Sequence, residues 1–571
     1  MSYNITTNKF EVSDLVLKLQ REKKSANELQ ERRHEAWDET YELYRNRVRT
    51  NRLTQRQAVN IPLMKETIKT ILASIDEEPL IEWSELAGDE QKEIIYQEVW
   101  DDRAREDKFA LLDIVDKKNV LLYGIGTRKL NLVENGVTLD ILDPYDVVFD
   151  PLMEPGNVES ARFIINQNVF KSVREILADE RYTSEGKEDI KIWADSPPGI
   201  IQGEDNKKRW EEKLERLRSM GVDSSEFPLF SGGETIVNLT EQFHEIWDTK
   251  KKKFVRYVSV YAEDTILLMH EPLYDLIGVE FWPFVVWSED VETQDIYPDS
   301  VGDIVRTPNK ILNVWLSQMV ENRSLKNFQM HWFSPVQGYQ PQTFTPGPGV
   351  MLPAPPSEDI NKVIKPVEIS GLDDTLTAIA AITQIVERAT GATAIQKGEP
   401  EGGKQTLGEI EILVGKALER TTSMSKFYKI AWYETAYKWD KMMHANKPKF
   451  LSLYKKSQSG KIYQKRVYAG DWASDVGYKP VVRSSSEREQ ESVKSLQKFD
   501  ILLQRFPNNT ALRRISQKRM IEIVDITPEE YKQIEEEEKK IAAAMQLQAS
   551  QGAGTEPEMG NIPQLLGELT N

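Results

Sequence analysis

From residue 11 to about 50, apolar positions recur every three or four residues, with Leu15, Leu19, Trp37, Tyr41 and Tyr44 set among charges. That period predicts an amphipathic helix. The segment NIPLMKETIKTILASI (60–75) predicts another, with Pro62 suited to its first turn and EEP (77–79) stopping it. A further helix is expected from about 93 to 122, through Trp100, Phe109, Leu112 and Val115 to LLYGIG. The period then falls to two. TRKLNLVEN and VTLDILDPYDVVFDP flank Asn135-Gly136, a strong hairpin signal. TEQFHEIWD, a four-lysine turn at 250–253, FVRYVSVYA and TILLMHE predict an antiparallel meander. Between these strand regions, the polar stretch 180–235 carries a charged helix (KKRWEEKLERLRSM) between SPPG and SGG, and reads as an insertion or peripheral subdomain.

The second half changes character. IVRTPNKILNVWLSQMVENRSLKN (304–327) sets Ile304, Ile311, Leu312, Trp315, Leu316 and Met319 along one helical stripe. Residues 334–356 hold seven prolines and three glycines in twenty-three positions, which no regular helix survives. A shorter helix, LDDTLTAIAAITQIVERA, leads through a glycine-rich loop into a long one starting at TLGEIEILVGKALERTT, with Leu407, Ile410, Val414, Ala417 and Leu418 in phase. Strand-like pieces (GKIYQKRVYAGDW, YKPVVRSSS) follow, then helical segments including a well-signalled start at Thr527-Pro528-Glu529-Glu530. The residues after 545 read as a loose tail. Long helices bracketing a proline-rich excursion describe a hairpin reaching out of a body.

Composition narrows the function classes. At 571 residues the chain predicts two to four packed units. Thirteen Trp, twenty Tyr and eighteen Phe supply cores despite a 29% charged fraction. The absence of Cys excludes disulfides, thiol nucleophiles and cysteine metal sites. The first residues lack the apolar run of a secretory signal, and IGVEFWPFVVW (277–287) is far short of a membrane span, so no membrane association is expected. A net charge of −18 opposes general adhesion to nucleic acid, while leaving local basic loops free to touch it.

Candidate chemistry is sparse. GEPEGGKQT (398–406) satisfies much of the G-x-x-x-x-G-K-[ST] phosphate-loop pattern through Gly398, Gly403 and Lys404. Gln405 replaces the required hydroxyl, Glu399 and Glu401 oppose phosphate, and no strand precedes the loop. Asp143, Asp146 and Asp150 could converge on a divalent cation, but Asp-Pro is also a turn device, the reading favoured here. Gly124-x-Gly126 lacks the third glycine of a dinucleotide fingerprint. Ser423-x-x-Lys426 has the spacing of some acyl-transfer nucleophiles without their partner motifs, and the five histidines show no ligand spacing. No catalytic group, metal or cofactor is therefore expected. Two basic runs remain: RNRVRTNRLTQR (45–56), read as a solvated turn, and 501–521, whose Arg513, Arg514, Lys518 and Arg519 face either phosphate or acidic helices such as IEEEEKK.

This layout resembles the portal proteins of tailed bacteriophages. NIPLMKETIKTILASIDEEPLIEW (60–83) looks like the family's early asparagine–proline helix and proline-bearing strand. NVLLYGIGTRKLNLVENGVTLDILDPYDVVFDP (119–151) is similar to its glycine-marked helix end, sheet and D-P-x-D-x-x-x-D-P closure. YPDSVGDIVRTPNKILNVWLSQ (297–318) resembles the approach to its first stem helix, TPGPGV (345–350) falls at its clip, and 391–406 at its tunnel loop.

The resemblance implies an α+β, predominantly helical fold with wing, stem, clip and crown regions, long stem and wing helices, and small antiparallel sheets. The expected division is wing 1–297 (with the insertion at about 180–235), first stem helix 298–328, clip 329–370, second stem helix 371–390, tunnel loop 391–406, long wing helix and small β region 407–484, crown helices 485–545, and tail 546–571. It implies a homo-oligomeric ring, usually a dodecamer, at the capsid vertex of the virion, made in the host cytoplasm. Double-stranded DNA would pass through it without sequence specificity. Its partners would be the terminase large subunit, neck or tail adaptors, and major capsid and scaffolding proteins. The tunnel loop would present Gln396, Lys397, Lys404 and Gln405 to DNA; the clip would dock through Gln337, Tyr339, Phe344, Pro346 and Pro348; Arg513, Arg514, Lys518 and Arg519 would supply crown contacts. The competing readings are a P-loop or metal-dependent DNA-processing enzyme and another virion structural or internal protein.

Overall fold

The computed structural model describes residues 12–46, 59–75, 79–195, 236–262, 265–327, 331–333, 364–366, 375–391, 407–456 and 462–484, with the single positions 498 and 505. The chain divides into two units, 1–483 and 484–571, and nearly all described residues belong to the first.

Helices α1 (Val12–Tyr44) and α2 (Leu63–Ser74) open the chain, with Pro62 as the α2 N-cap rather than inside its first turn. Strand β1 (Pro79–Glu85) precedes α3 (Glu90–Glu106) and α4 (Phe109–Tyr123). These last two replace the single helix expected over 93–122. Lys108 breaks it by adopting a left-handed conformation (φ 55°), a break that no glycine or proline announces. Asp89 caps α3 by accepting the N–H groups of Gln91 and Lys92.

Strands β2 (Gly126–Val133) and β3 (Gly136–Leu142) form the expected hairpin. Its turn is Glu134-Asn135, and Gly136 (φ 131°) is already paired with Val133. Strands β4 (Val147–Phe149) and β5 (Phe163–Ser172) follow, then α5 (Val173–Ala178), entered through a Ser172/Glu175 capping box, and α6 (Ser184–Asp195). Helix α6 is part of the body: Tyr182 and Ile190 are buried in the main core, and the Thr183 N–H donates to Leu268 O. Residues 180–195 thus pack on the body through Tyr182 and Ile190, and 196–235 lies outside the described residues.

The meander is β6 (Ile236–Asp248), β7 (Lys253–Ala262) and β8 (Ile266–Pro272). It extends β4 and β5 into a five-stranded antiparallel sheet in sequential order. One face sends Val237, Leu239, Phe243, Val258 and Val260 into the main core. The opposite face, covered by α1, is mixed: Ala26 packs on Val148, Phe163 and Ile165, and Leu15 and Leu19 on Tyr261, while Lys23 donates to Thr240, Gln242 donates to Glu22, and Lys18 donates to Glu245 O. Within that layer Ser259 Oγ lies 2.8 Å from both His244 Nε2 and His270 Nδ1. Burial depresses the basicity of both imidazoles, His244 well below the ordinary value and His270 to about 4, with the Lys18 charge adding to the effect.

A short helix α7 (Leu273–Ile277) leads to β9 (Phe284–Trp287), which pairs with β2 in the order β3-β2-β9. Then come α8 (Val301–Asn327), β10 (His331–Phe333), β11 (Ile364–Pro366), α9 (Thr375–Thr390) and the forty-residue α10 (Leu407–Asn446). The hairpin β12 (Phe450–Lys456) and β13 (Ile462–Tyr468), helix α11 (Ala469–Trp472) and β14 (Tyr478–Ser484) follow. Strand β14 returns to pair with β1. This closure is built on aromatic rings: Tyr96 stacks on Tyr478 at 3.9 Å and on Trp472 at 5.6 Å, while Trp83 and Trp100 meet Trp439. The fold is α+β. Its sheets carry a larger share of the core than a predominantly helical architecture expects, because both the five-stranded sheet and β3-β2-β9 are packed through the main cluster.

Candidate functional site

Helices α8, α9 and α10 flank the Pro/Gly excursion and the glycine-rich loop, so their anchorage decides how those segments are held. Helix α8 begins at a reciprocal cap in which Ser300 Oγ accepts the Asp303 N–H and Ser300 N–H donates to Asp303 Oδ2. Arg33 of α1 bridges Asp299 and Asp303, and Glu39 meets Lys310 at 2.5 Å. Gly124 (φ 85°), capping α4, admits the approach to this helix, since a Cβ there would stand 2.2 Å from Pro298 O.

One turn further, a ladder of side chains grips the chain before α2. Asn309 Oδ1 accepts the Met64 N–H at 2.9 Å and its amide donates to Ile61 O. Asn313 Oδ1 accepts the Ile61 N–H, and Ser317 Oγ accepts the Val59 N–H. The spacing i, i+4, i+8 puts the three on one helical line, so the α2 N-terminus is satisfied from outside its own sequence. Buried Val301, Val305 and Leu312 accompany them.

The expected apolar stripe of α8 is therefore split. Leu312 is buried, Trp315, Leu316 and Met319 are half-buried, but Ile304 and Ile311 face outward with Val314. Exposed Ile304, Thr307, Ile311, Val314 and Gln318 alternate by three and four, the spacing of a helix–helix seam. Beyond α8, β10 and β11 pair antiparallel from His331↔Pro366 to Phe333↔Ile364, so residues 334–363 leave and return at one place. Helix α9 packs on α8 and ends at left-handed Gly391 (φ 77°).

Helix α10 is bolted to the body along its second half. Tyr428 and Trp432 donate to the two oxygens of Asp113, at 2.8 and 3.0 Å. Lys117 lies 2.7 Å from Asp113 Oδ2. Arg128 and Trp287 both donate to Asp116 Oδ2 at 2.7 Å, and Arg128 continues to Thr435 and over the Trp432 ring. All four charges are buried, two of each sign. Burial raises the Asp116 pKa, opposed by Arg128, and burial with the Asp113 charge raises that of Tyr428, fixing it as a donor. Gly126 makes room, since a Cβ there would lie 2.5 Å from Asp116 Oδ1. Further along, Lys438 reaches Glu159 Oε1 (2.7 Å), Glu434, Trp282 O and Phe284 O. Burial disfavours the Glu159 carboxylate, but Lys438 and Arg256 together hold its pKa below the ordinary value. Asp440 accepts the Tyr96 hydroxyl and faces His444 at 3.0 Å.

No protein-family model matches the chain, and no curated protein matches it. Among solved structures, a chain from an entity described as "Virion of native gene transfer agent (GTA) particle" is similar at 11% identity and a TM-score of 0.34. The match covers 84% of this chain and 93% of that one. A likeness so slight carries no argument about function.

The residues expected in a tunnel loop, Gln396, Lys397, Lys404 and Gln405, lie outside the described residues, as do the expected clip residues Gln337, Tyr339, Phe344, Pro346 and Pro348 and the expected crown contacts Arg513, Arg514, Lys518 and Arg519. The basic run 45–56 is described only at Arg45 and Asn46. Asp143, Asp146 and Asp150 are turn and strand-joining groups: Asp143 accepts the Tyr145 N–H, Asp150 those of Leu152 and Arg162, and Asp146 the Asn168 amide. Ser423 and Lys426 both belong to α10. The Asn309–Asn313–Ser317 ladder and the Asp113–Asp116–Lys117–Arg128 network were missed by sequence reasoning. Their signals were polar residues one turn apart on an apolar helix, and D-x-x-D-K inside ALLDIVDKKNVLLY.

Proposed function

We propose that this chain is the subunit of a portal ring: copies closed into a homo-oligomer, a dodecamer, at a capsid vertex of the virion, through which double-stranded DNA is packaged and ejected. The observation that carries this reading is the α8–β10/β11–α9 arrangement. Two packed helices deliver and retrieve residues 334–363 through one antiparallel strand pair, and a glycine-rich loop then leads into a forty-residue helix. An excursion held so is suited to docking, by the terminase large subunit during packaging and by neck or tail adaptors afterwards. The outward seam on α8 supports self-association, since Ile304, Ile311 and Val314 along it gain stability by being covered. Major capsid and scaffolding proteins would meet the body of the subunit.

A net charge of −18 supports sliding over adhesion, because tight phosphate contact would hold DNA by counterion release. Lys397 and Lys404 would touch the passing backbone only locally, within a Debye length of about 8–10 Å. The ring requires no catalytic group of its own, since the motor hydrolyses ATP elsewhere.

Deleting 334–356 tests the docking role. The ring should assemble at its normal mass while terminase binding and packaging are lost; packaging at the full rate would contradict the assignment.

A further inference from the structure

A ring of identical subunits needs two different patches per chain that complement each other, because every contact is head-to-tail. The described residues contain a pair of patches matched in both charge and apolarity. The first is the tip of the β6–β7 hairpin. Lys250, Lys251, Lys252 and Lys253 are all exposed there, and Lys253 alone forms an ion pair, to Glu280 at 2.9 Å. Among the described residues no carboxylate lies within ion-pair distance of the other three. Asp248 spends Oδ1 on the N–H groups of Lys250 and Lys251. Directly below the lysines, Trp247 and Phe254 pair across the strands with rings 5.0 Å apart, 45% and 60% exposed. Two large aromatic rings in water beside a concentrated positive charge are a cost that an acidic, partly apolar partner would remove.

The second patch is the outer face of α3. Glu90, Ile94, Glu98 and Asp101 follow one another about a turn apart, with Leu86 just before the helix; Glu90 and Asp101 are exposed, Glu98 is half-buried, one Asp101 oxygen accepts the Gln97 amide, and Ile94 and Leu86 are 60% and 57% exposed. Two side chains of α10 lead towards the two patches from different sides of that helix. Lys438 reaches the hairpin side through Glu159, which also pairs with Arg256 of β7, while Asp440 reaches α3 through Tyr96. Side chains two positions apart on a helix diverge by about 200°.

On the ring reading, we infer that the Lys250–Lys253 hairpin tip of one subunit docks on the acidic Glu90–Asp101 face of α3 in the next copy. Trp247 and Phe254 cover Ile94 and Leu86, and the lysines set the register against the carboxylates. Like-charge repulsion keeps two hairpin tips, or two α3 faces, from meeting, so each contact pairs a tip with an α3 face.

Paired charge reversals test this. One chain carries Lys250→Glu, Lys251→Glu and Lys252→Glu; the other carries Glu90→Lys, Glu98→Lys and Asp101→Lys. Alone, each presents like charges on both patches, and the fraction of ring mass in mass photometry should fall by at least about tenfold. Mixed in equal amounts the two become complementary at every contact, and an alternating ring of normal mass should return. Reversed chains that each assemble like the wild type overturn the contact while leaving the ring standing. A wild-type chain that never exceeds monomer mass overturns the ring and the contact with it. Zero-length carbodiimide coupling of the unmodified ring provides a measurement free of folding effects. It should join a hairpin lysine to an α3 carboxylate between subunits, and a ring without that link contradicts the contact. Should the lysine reversals leave the ring intact and abolish duplex DNA binding instead, the tip is a nucleic-acid surface and the contact is wrong.

Discussion

The Tyr428 hydroxyl donates to Asp113 Oδ2 at 2.8 Å, joining two residues separated by 315 positions in the chain. The same oxygen faces the Lys117 ammonium, and the other accepts the Trp432 indole. One carboxylate on α4 thus receives three groups, two of them from α10, in a site closed to water. That fastens the second half of α10 to the body.

Removing the acceptor should cost more than removing one donor. Tyr428→Phe forfeits a single hydrogen bond to a charged group, about 1–3 kcal/mol. Asp113→Ala removes at once the acceptor shared by Tyr428, Trp432 and the buried Lys117, about 3–5 kcal/mol. Urea unfolding of the two variants gives the ranking directly, and equal losses would contradict the central place of Asp113.

The α8 ladder predicts a local effect. Asn313→Leu keeps the volume but abandons the Ile61 N–H that its oxygen accepts, about 1–3 kcal/mol for a desolvated, unpaired amide. Hydrogen exchange should accelerate at Ile61 and through the first turn of α2, and much less at β6. Uniform acceleration across the molecule would show that the ladder is not a local clasp.

Acid should weaken the α1-covered face of the sheet. The unfolded chain binds a proton at each histidine near pH 6.5, whereas folded His270 does so only near 4 and burial holds His244 well below its ordinary value. The unfolded state binds more protons in between, so this contribution to stability is lost as pH falls from 6.5 towards 4. Glu22, raised by its own burial, works in the opposite direction near its carboxylate range and blunts the lower end. A His244→Asn/His270→Asn chain should show a flatter melting-temperature profile between pH 6.5 and 4.5; an unchanged slope would exclude the pair as its source.

Glu289 has the reverse sign. Burial pushes its pKa up to about 7, and its Oε2 has no hydrogen-bond partner. Its folded value exceeds the unfolded one, so ionisation costs stability above pH 7, and the cost is relieved as pH falls through 7 towards 4.5. Glu289→Gln keeps an oxygen for the Val301 N–H and should stabilise the chain at pH 8 by up to about 3 kcal/mol, with no gain at pH 4.5. A loss at pH 8 would mean that the carboxylate is paired.

Much of the fold is legible where period and turn chemistry agree. The meander, the β2–β3 hairpin and the long helices follow from alternation, Asn-Gly and apolar spacing, signals local to each element. The departures arise where distant residues decide. Ile304 and Ile311 share a stripe with Leu312 in the sequence, yet α2 and its preceding segment claim the Asn309–Asn313–Ser317 side and leave the isoleucines outward. Nothing near residue 108 marks the break between α3 and α4, whose flanking rings Trp100 and Phe109 meet Trp439 and Trp432 of the distant α10. Asp113 and Asp116 look solvated until Arg128, Trp287 and Tyr428 are brought to them. The site itself follows the same rule: the frame α8, α9 and α10 was foreseen, and its internal fastening was not.

The central claim is a closed ring with an axial channel, and imaging the purified full-length chain by electron microscopy tests it most directly. The account predicts ring-shaped particles with rotational symmetry, a central channel, and Lys397 and Lys404 lining its narrowest part. Particles of one or two chains without a channel, or a ring with both lysines far from the axis, would contradict it.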